Sequence, residues 1–292
     1  MQLRHIRYLI AVAEHGNFTR AAEALHVSQP TLSQQIIQLE EMLGVPLLDR
    51  SGRTVKVTDV GSVYIEHARR ALRELASARR AIHDVHDLKR GELRLAATPT
   101  FSAYLVGPLV SAFHAKHPGI LIRVEEMSLD TIAAAVAADE VDLGIAFDAS
   151  RPGDNIEYET ILVERLSVVV GRNHPFAALE GAITPQMLSN ERLGVLSPKF
   201  VTRIHVDEYL RSQKISPPVA VEANTISALL EVVRRTDVVT ILPEAICDQH
   251  EGLRNIAIDP APAPRTAALL QRRDAYRSSA ALAFAVLCRA LS

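Results

Sequence analysis

The stretch from residue 17 to residue 44 reads NFTRAAEALHVSQPTLSQQIIQLEEMLG. A short apolar-periodic helix comes first, and a tight turn at residues 26–27 separates it from a longer helix. Ser28 can cap the longer helix, and Pro30 lies in its first turn, where a missing N–H costs nothing. Gly44 ends it. This pair of elements predicts a helix-turn-helix, whose second helix can lie in the major groove of DNA.

The longer helix has two different faces. Its apolar residues, from Leu32 to Leu43, recur at helical spacing along one stripe, and the opposite face is mostly polar. Gln, Ser and Thr near its start can bond to base edges or phosphates, and a proline ring can contact a thymine methyl group. The alternative is an ordinary three-helix core, completed by a helix over residues 3–15, whose polar face is merely solvated. The candidate DNA-contacting residues of this helix are Gln29, Pro30, Thr31, Ser33 and Gln34.

A short hairpin is predicted directly after this helix. Residues 47–50 and 53–57 form its strands, and the Ser-Gly pair at 51–52 forms its turn. Arg50 and Arg53 flank the tip, where their charges suit contact with phosphate. A basic hairpin beside the second helix is typical of the wing of a winged helix-turn-helix.

A long amphipathic helix is expected to follow, from Thr58 as its N-cap to about residue 88. Its apolar residues repeat at alternating spacings of four and three, which is the a/d pattern of a coiled coil. We expect this stripe to form a dimer, which would place two winged domains on two half-sites of DNA. The helix could instead lie against its own domain. The stripe consists of Tyr64, Ala68, Ala71, Leu75, Ala78, Ile82 and Val85.

Four sequence elements follow one another within residues 11–61. They are F-T-R-A-A-x-x-L, S-Q-P-x-L-S-x-Q-I, L-E-x-x-L-G-x-x-L and the run DRSGRTVKVTDVG. This region resembles the N-terminal domain of LysR-type transcriptional regulators, and the resemblance extends over essentially the whole chain. It implies a DNA-binding regulator, a dimer or tetramer, with promoter DNA and RNA polymerase as partners. Ile37 departs from the family, whose members commonly carry a charged or polar residue there, so it is assigned no DNA contact.

Beyond Gly91, short apolar strands alternate with helices, which is typical of α/β folds with parallel sheets. Two such units, joined by segments that cross between them, resemble the type 2 periplasmic-binding-protein architecture. LysR-type regulators share that architecture and hold their ligand in the cleft between the lobes. The predicted domains are a winged helix-turn-helix over 1–58, a linker helix over 59–89 and an effector-binding domain over 90–292, with lobe I at 91–163 and 265–292 and lobe II at 164–264.

Hydroxyl-bearing residues stand where strands of the two lobes give way to helices. Such junctions present free backbone N–H groups and the positive end of a helix dipole, which suits a small anion bound without a dedicated cation. These residues could instead only cap their helices, and Lys199 and Arg203 are expected to be solvated. The candidate effector-binding residues are Thr98, Thr100, Ser128, Ser197 and Thr202.

Four passages of the second part, at residues 80–101, 126–128, 144–147 and 222–246, resemble the regulators of cyanate-degradation genes. This resemblance implies an activator of cyanate-detoxification genes whose effector is cyanate or its linear mimic azide. The alternative is a LysR-type regulator that responds to another small carboxylate or metabolite.

Composition and the absence of certain motifs disfavour other functional classes of protein. Residues 1–90 carry 13 Lys and Arg against 10 Asp and Glu, which permits a polyanionic partner at that end. The apolar runs are too short to cross a bilayer and the N-terminus lacks a signal-peptide pattern, so we expect a cytoplasmic protein. No nucleophile–base, metal-ligand or cofactor motif stands out; the H-x-x-H pairs at 83–86 and 114–117 are expected to be surface histidines, and the two cysteines have no partner motif. An enzyme and a solute-binding protein are therefore disfavoured.

Overall fold

The computed structural model describes residues 2–52, 54–84, 88, 90–148, 155–273 and 276–290, except for the side chains of residues 77 and 79–84. The chain forms two compact units, Met1–Ile82 and His83–Ser292. The predicted boundaries at residues 58 and 89 remain predictions.

The first unit begins with three helices around one apolar core. Asn17 caps the second helix by accepting from the N–H groups of Thr19 and Arg20, and Ser28 caps the third by accepting from Thr31. Gly16 and Gly44 end the first and third helices at φ of 58° and 72°, a conformation that favours glycine. The helices are α1 (Leu3–His15), α2 (Phe18–Ala24) and α3 (Gln29–Leu43), and their core includes Leu9, Val12, Leu32, Ile36, Leu39 and Leu47.

A hairpin and a long helix complete this unit, as predicted. The strands β1 (Leu48–Asp49) and β2 (Lys56–Val57) pair antiparallel. The Thr58 hydroxyl accepts from the N–H of Gly61 at 3.0 Å and so caps α4 (Asp59–Asp84). A Cβ at Gly61 would lie 2.1 Å from the carbonyl oxygen of Leu47, so only glycine lets the helix start this close to the hairpin.

Lobe I of the second unit is a five-stranded sheet in the order β4-β3-β5-β12-β6. The first three strands are parallel, whereas β12 is antiparallel to both of its neighbours. The sheet of lobe I is therefore mixed, because the chain returns from lobe II along β12. The strands are β3 (Gly91–Ala97), β4 (Ile120–Glu126), β5 (Leu143–Phe147), β6 (Ile156–Glu164) and β12 (Arg265–Arg272); the helices are α5 (Pro99–Ser102), α6 (Val106–Lys116), α7 (Leu129–Ala137) and α12 (Ser279–Arg289).

Lobe II is built around β7 (Leu166–Gly171), which pairs antiparallel with β10 and β11. Two further strands, β8 and β9, are parallel, and a single bridge from Leu193 to Val239 connects them to this sheet. The strands are β8 (Leu193–Leu196), β9 (Val219–Ala223), β10 (Thr240–Pro243) and β11 (Leu253–Ile256); the helices are α8 (Pro185–Leu188), α9 (Val201–Ser212), α10 (Ile226–Arg235), α11 (Ile246–Gln249) and a 3-10 turn (Pro175–Ala178).

The two lobes meet at the strand ends where the chain crosses between them. Only Arg165 separates β6 from β7, and β12 brings the chain back into lobe I. The largest cluster of buried apolar residues contains members from both lobes, such as Phe101 and Leu229. The lobes therefore share one continuous apolar core at the crossing.

Candidate functional site

A cavity of about 140 Å³ lies between the two lobes. Lobe I contributes the loop from β3 into α5, the start of α7 and the end of β5, and lobe II contributes the start of α9. The helix α9 begins with Val201 at this edge of the cavity. The first N–H groups of a helix have no partners within the helix. The lining residues are Thr98, Pro99, Thr100, Ser128, Leu129, Phe147, Lys199, Phe200 and Val201.

Three of the five predicted effector-binding residues line this cavity, namely Thr98, Thr100 and Ser128. Thr202 lies directly behind Thr100, and the two hydroxyl oxygens are 3.1 Å apart. Ser197 is not among the lining residues. Its N–H donates to the carbonyl of Ala223 and so continues the pairing of β8 with β9. The strand-to-helix junctions thus bring together four of the five residues, from both lobes.

The helix-cap alternative holds for only one of these residues. Ser128 caps α7, and its hydroxyl lies 2.8 Å from that of Thr131. Thr98 stands at the N-cap of α5 but makes no side-chain cap bond. Its side chain is 4% exposed, and its hydroxyl oxygen is buried without a hydrogen-bond partner among the described residues. A buried hydroxyl without a partner costs about 1–3 kcal/mol, so Thr98 is left with an unused donor at the cavity wall.

A buried ion pair lies behind the cavity wall, at the crossing between the lobes. The guanidinium of Arg265 donates to the carboxylate of Glu164, and the two residues are 5% and 4% exposed. Tyr104 donates to the other carboxylate oxygen at 2.8 Å. Arg265 also stacks on the ring of Phe147, 4.1 Å from its centroid, and donates to the hydroxyl of Thr202 at 3.1 Å.

Burial and the charge of the partner shift the pKa of each residue of this pair in opposite directions. Burial raises the pKa of Glu164 and lowers the pKa of Arg265, while the charge of each partner opposes that shift. The pKa of Tyr104 is raised, first by burial and then by the charge of Glu164. Sequence reasoning missed these residues because the two charges are paired across neighbouring strands, in direct register, from positions far apart in the chain.

The two cations expected near the site behave differently from one another. Lys199 is exposed and lines the cavity. Arg203 was expected to be solvated, and this was wrong. Its guanidinium is paired with Asp207 and Glu222 and donates to the carbonyl of Leu196 at 2.7 Å. It therefore holds the start of α9 against β8.

In the first unit, the polar face of α3 is open to solvent. Gln29, Pro30, Thr31 and Gln34 are exposed, and Ser33 is half-buried. Ile37, which lies on the same face, is 38% exposed. The face predicted to contact DNA is therefore available to a partner.

The hairpin is fixed to α3 by Glu40. One oxygen of its carboxylate accepts from the N–H groups of Leu47 and Leu48, at 2.8 and 3.0 Å. The other accepts from Arg50 at 2.6 Å, and the Arg50 guanidinium also lies over the ring of Phe18. Arg50 thus holds the hairpin in place besides being a candidate for phosphate contact. Arg53, the other predicted wing residue, lies outside the described residues.

The apolar stripe of α4 divides into two parts. Tyr64 packs against the core of its own unit and Ala68 is buried. Ala71, Leu75 and Ala78 are exposed, with Leu75 at 46%. The side chains of Ile82 and Val85 lie outside the described set. The alternative that the helix lies on its own domain thus holds for its first turns only, and the following turns leave an apolar stripe uncovered.

Comparison with known proteins decides the family. Residues 3–62 match the model of the bacterial regulatory helix-turn-helix protein, lysR family, and residues 86–292 match the model of the LysR substrate binding domain. The chain belongs to the LysR family. Its members are transcriptional regulators rather than enzymes, and the two-lobed fold predicted from the sequence is confirmed.

Similar proteins of the LysR family have different regulatory roles. The chain is 30% identical to a probable RuBisCO transcriptional regulator of Nostoc sp., over 97% of this chain and 86% of that protein. It is 29% identical to the hydrogen peroxide-inducible genes activator of Dickeya chrysanthemi, over 93% and 90%. A full-length OxyR variant from Pseudomonas aeruginosa has a TM-score of 0.70 at 25% identity and covers 100% of this chain and 94% of that one. CbnR complexed with its target DNA has the same fold, with a TM-score of 0.68 at 24% identity and complete coverage of both chains.

Other chemistry is sparse in this LysR-family chain. Burial raises the pKa of the Cys247 thiol to about 11 and that of Cys288 to about 12, so both are protonated at neutral pH. Among the described residues no group of His, Cys, Asp and Glu could hold a metal ion. His83 and His86 lie outside the described side chains. None of the described helices has the length and apolar character of a membrane span.

Proposed function

We propose that this LysR-type regulator binds promoter DNA through α3 and its wing, and that a small anion in the interlobe cavity controls it. The observation that carries the effector site is that Thr98 lines the cavity while its buried hydroxyl has no partner among the described residues. Thr100 and Ser128 add two further hydroxyls. A hydroxyl group can donate to an anion.

The volume of the cavity limits the size of the effector. A cavity of about 150 Å³ is known to hold a benzene molecule, and pockets for drug-sized ligands span roughly 300–1,000 Å³. At about 140 Å³ this cavity suits a ligand of only a few heavy atoms. Cyanate and azide, each with three, are the effectors we propose first.

The affinity of so small a ligand must come mainly from hydrogen bonds to its charge. Bonds to a charged group contribute about 1.5–3 kcal/mol each, from which the cost of association is subtracted. Three such bonds support binding in the micromolar to millimolar range, which corresponds to about 4–8 kcal/mol. Loss of one bond is then expected to weaken binding about ten- to a hundred-fold.

A second candidate effector is a small carboxylate with a short hydrocarbon part. Leu129, Phe147, Phe200 and Val201 also line the cavity and give it apolar surface besides its hydroxyl-bearing residues. An apolar wall favours a ligand that buries carbon as well as charge.

Calorimetry on the full-length protein tests the site and the effector together. Cyanate, azide, acetate and benzoate are titrated into the wild type, Thr98→Val and Ser227→Ala. Ser227 is an exposed residue that does not line this cavity; it lines a neighbouring one of about 250 Å³, which shares Pro99 and Phe200 with it. We expect Thr98→Val to weaken anion binding about ten- to a hundred-fold and Ser227→Ala to leave it unchanged. Binding of carboxylates but not cyanate would replace the effector and keep the site. Equal binding to all three proteins would place the ligand elsewhere.

On DNA, we assign base contacts to Gln29, Pro30, Thr31, Ser33 and Gln34 of α3, and phosphate contacts to Arg50 and Arg53. The exposed part of the α4 stripe joins two chains, so that two winged domains bind two half-sites. The regulator acts in the cytoplasm as an activator that works with RNA polymerase. Footprinting upstream of its own and neighbouring genes, with and without cyanate, tests this role; protection that is identical in both conditions would contradict control by cyanate.

A further inference from the structure

A chain of hydrogen bonds runs from the buried ion pair to the cavity wall. Arg265 donates to the hydroxyl oxygen of Thr202 at 3.1 Å, and that oxygen lies 3.1 Å from the hydroxyl oxygen of Thr100. Arg265 does not line the cavity, whereas Thr100 does. The chain therefore connects a buried guanidinium to the surface that a ligand contacts.

The donor at one end gives this chain a direction. An arginine can only donate, so the Thr202 oxygen must accept from Arg265. Thr202 is 1% exposed, and Thr100 is the partner that the structure offers for its single hydroxyl proton. If Thr100 donated to Thr202 instead, the Thr202 proton would be left buried without an acceptor among the described residues, at a cost of about 1–3 kcal/mol. In the arrangement Arg265 to Thr202 to Thr100 the proton without a partner is instead that of Thr100, which is 2% exposed but lines the cavity, where a bound anion can accept it.

We propose that Arg265 is a positioning residue that makes the cavity selective for anions, because it fixes Thr100 as a hydrogen-bond donor towards the ligand. This inference rests on the proposed effector site. Glu164 balances the charge of Arg265, so Arg265 acts on the cavity through the direction of the hydrogen bonds rather than through a net charge. Hydrogen bonds in such a chain polarise one another, which strengthens the last donor.

The surroundings of Arg265 keep this direction fixed. Its Cα is in direct register with that of Glu164 across the paired strands β12 and β6. Tyr104 holds the other oxygen of that carboxylate, and the ring of Phe147, which also lines the cavity, supports the guanidinium from one face. The guanidinium is therefore restrained through its charge, its hydrogen bonds and its flat face.

Acetate and acetamide provide the test, because they have almost the same shape but only acetate is an anion. Acetamide offers a donor as well as an acceptor, so a hydroxyl that can turn binds it more readily than one fixed as a donor. Dissociation constants for acetate, acetamide and azide are measured by calorimetry on the full-length wild type, Thr202→Val, Thr202→Ser and the charge-balanced pair Arg265→Met with Glu164→Gln. Circular dichroism and thermal unfolding of every variant report on folding.

We expect the wild type to prefer acetate and to bind azide. Thr202→Val removes one hydroxyl that does not line the cavity, and should reduce the acetate-to-acetamide preference about tenfold, as should the double variant. Thr202→Ser keeps the hydroxyl and should keep the preference. A folded Thr202→Val protein with an unchanged preference would overturn the role of Arg265 and leave the effector site standing. A wild type that binds none of the three probes would overturn the effector site, and this inference with it.

Discussion

Removal of the Thr98 hydroxyl is expected to stabilise the unliganded protein and to weaken its ligand binding. The backbone of Thr98 is fully bonded: its N–H donates to Ile145 at 3.1 Å, and its carbonyl accepts from Phe101 and Ser102. Of the polar groups of Thr98, the hydroxyl alone lacks a hydrogen-bond partner among the described residues, and it is buried. Thr98→Val replaces it with a methyl group of similar size.

The magnitude follows from the cost of that hydroxyl. A buried polar group without a partner costs about 1–3 kcal/mol, and the valine no longer has this cost. For a unit of this size, each kcal/mol shifts Tm by about 2–4 °C. We therefore expect the transition of the second unit to move up by at least about 2 °C in the absence of ligand, while the affinity for the effector falls.

Thr100→Val is the matched control, because its hydroxyl does have a partner, Thr202 at 3.1 Å. The same substitution there should lower stability by about 0.5–1.5 kcal/mol. Differential scanning calorimetry of both full-length variants, without ligand, measures the two signs. If Thr98→Val lowers Tm as Thr100→Val does, the Thr98 hydroxyl has a partner within the protein, and the reasoning that makes it a ligand donor is refuted.

Three further results are expected. Glu40→Ala removes the acceptor for the backbone N–H groups of residues 47 and 48. Hydrogen exchange of these two groups should accelerate by at least about tenfold, while α1 stays protected. Unchanged exchange would mean that other contacts hold the hairpin. Gln34→Ala should cost about 1–3 kcal/mol on specific DNA and little on random DNA in a shift assay, and equal losses would remove its base contact. Leu75→Lys should dissociate the dimer in analytical ultracentrifugation, because it buries a charge in the proposed seam, and an unaltered mass would mean that the stripe packs elsewhere.

Local periodicity predicted the first unit well. Of the predicted stripe from Leu32 to Leu43, the residues up to Leu39 are buried, whereas Leu43 is 37% exposed. The caps at Ser28 and Thr58 stand where their residue types favour them. These features depend on neighbours within a few positions of the chain. The three-four spacing of the α4 stripe predicts a helix pair, and that pairing stays a prediction.

Local sequence patterns predicted the second unit only in part. The strand β6 was not predicted; its partner β12 follows about a hundred residues later in the chain. The chain between β3 and β4 forms two helices, α5 and α6, and Tyr104 lies between them, where it reaches Glu164. Four of the five candidate effector-binding residues lie close together because strand ends of both lobes meet at the crossing, and their binding of an effector stays a prediction. The ion pair behind them depends on strand register, which no local pattern encodes.

The position of the hydrogen-bond chain suggests how a small anion could control a much larger molecule. Thr100 belongs to lobe I and Thr202 to lobe II, so the 3.1 Å contact between their hydroxyls exists only while the lobes are closed at this point. A ligand shifts a conformational equilibrium only by the difference between its affinities for the two states. An anion that needs Thr100 as a fixed donor binds the closed arrangement better than an open one, since separation of the lobes would also break the chain from Arg265. A tenfold difference in affinity between the closed and the open arrangement corresponds to about 1.4 kcal/mol. A ligand of three heavy atoms can therefore favour lobe closure through its bond to the Thr100 hydroxyl, whose role as a donor is set by Arg265 and Thr202.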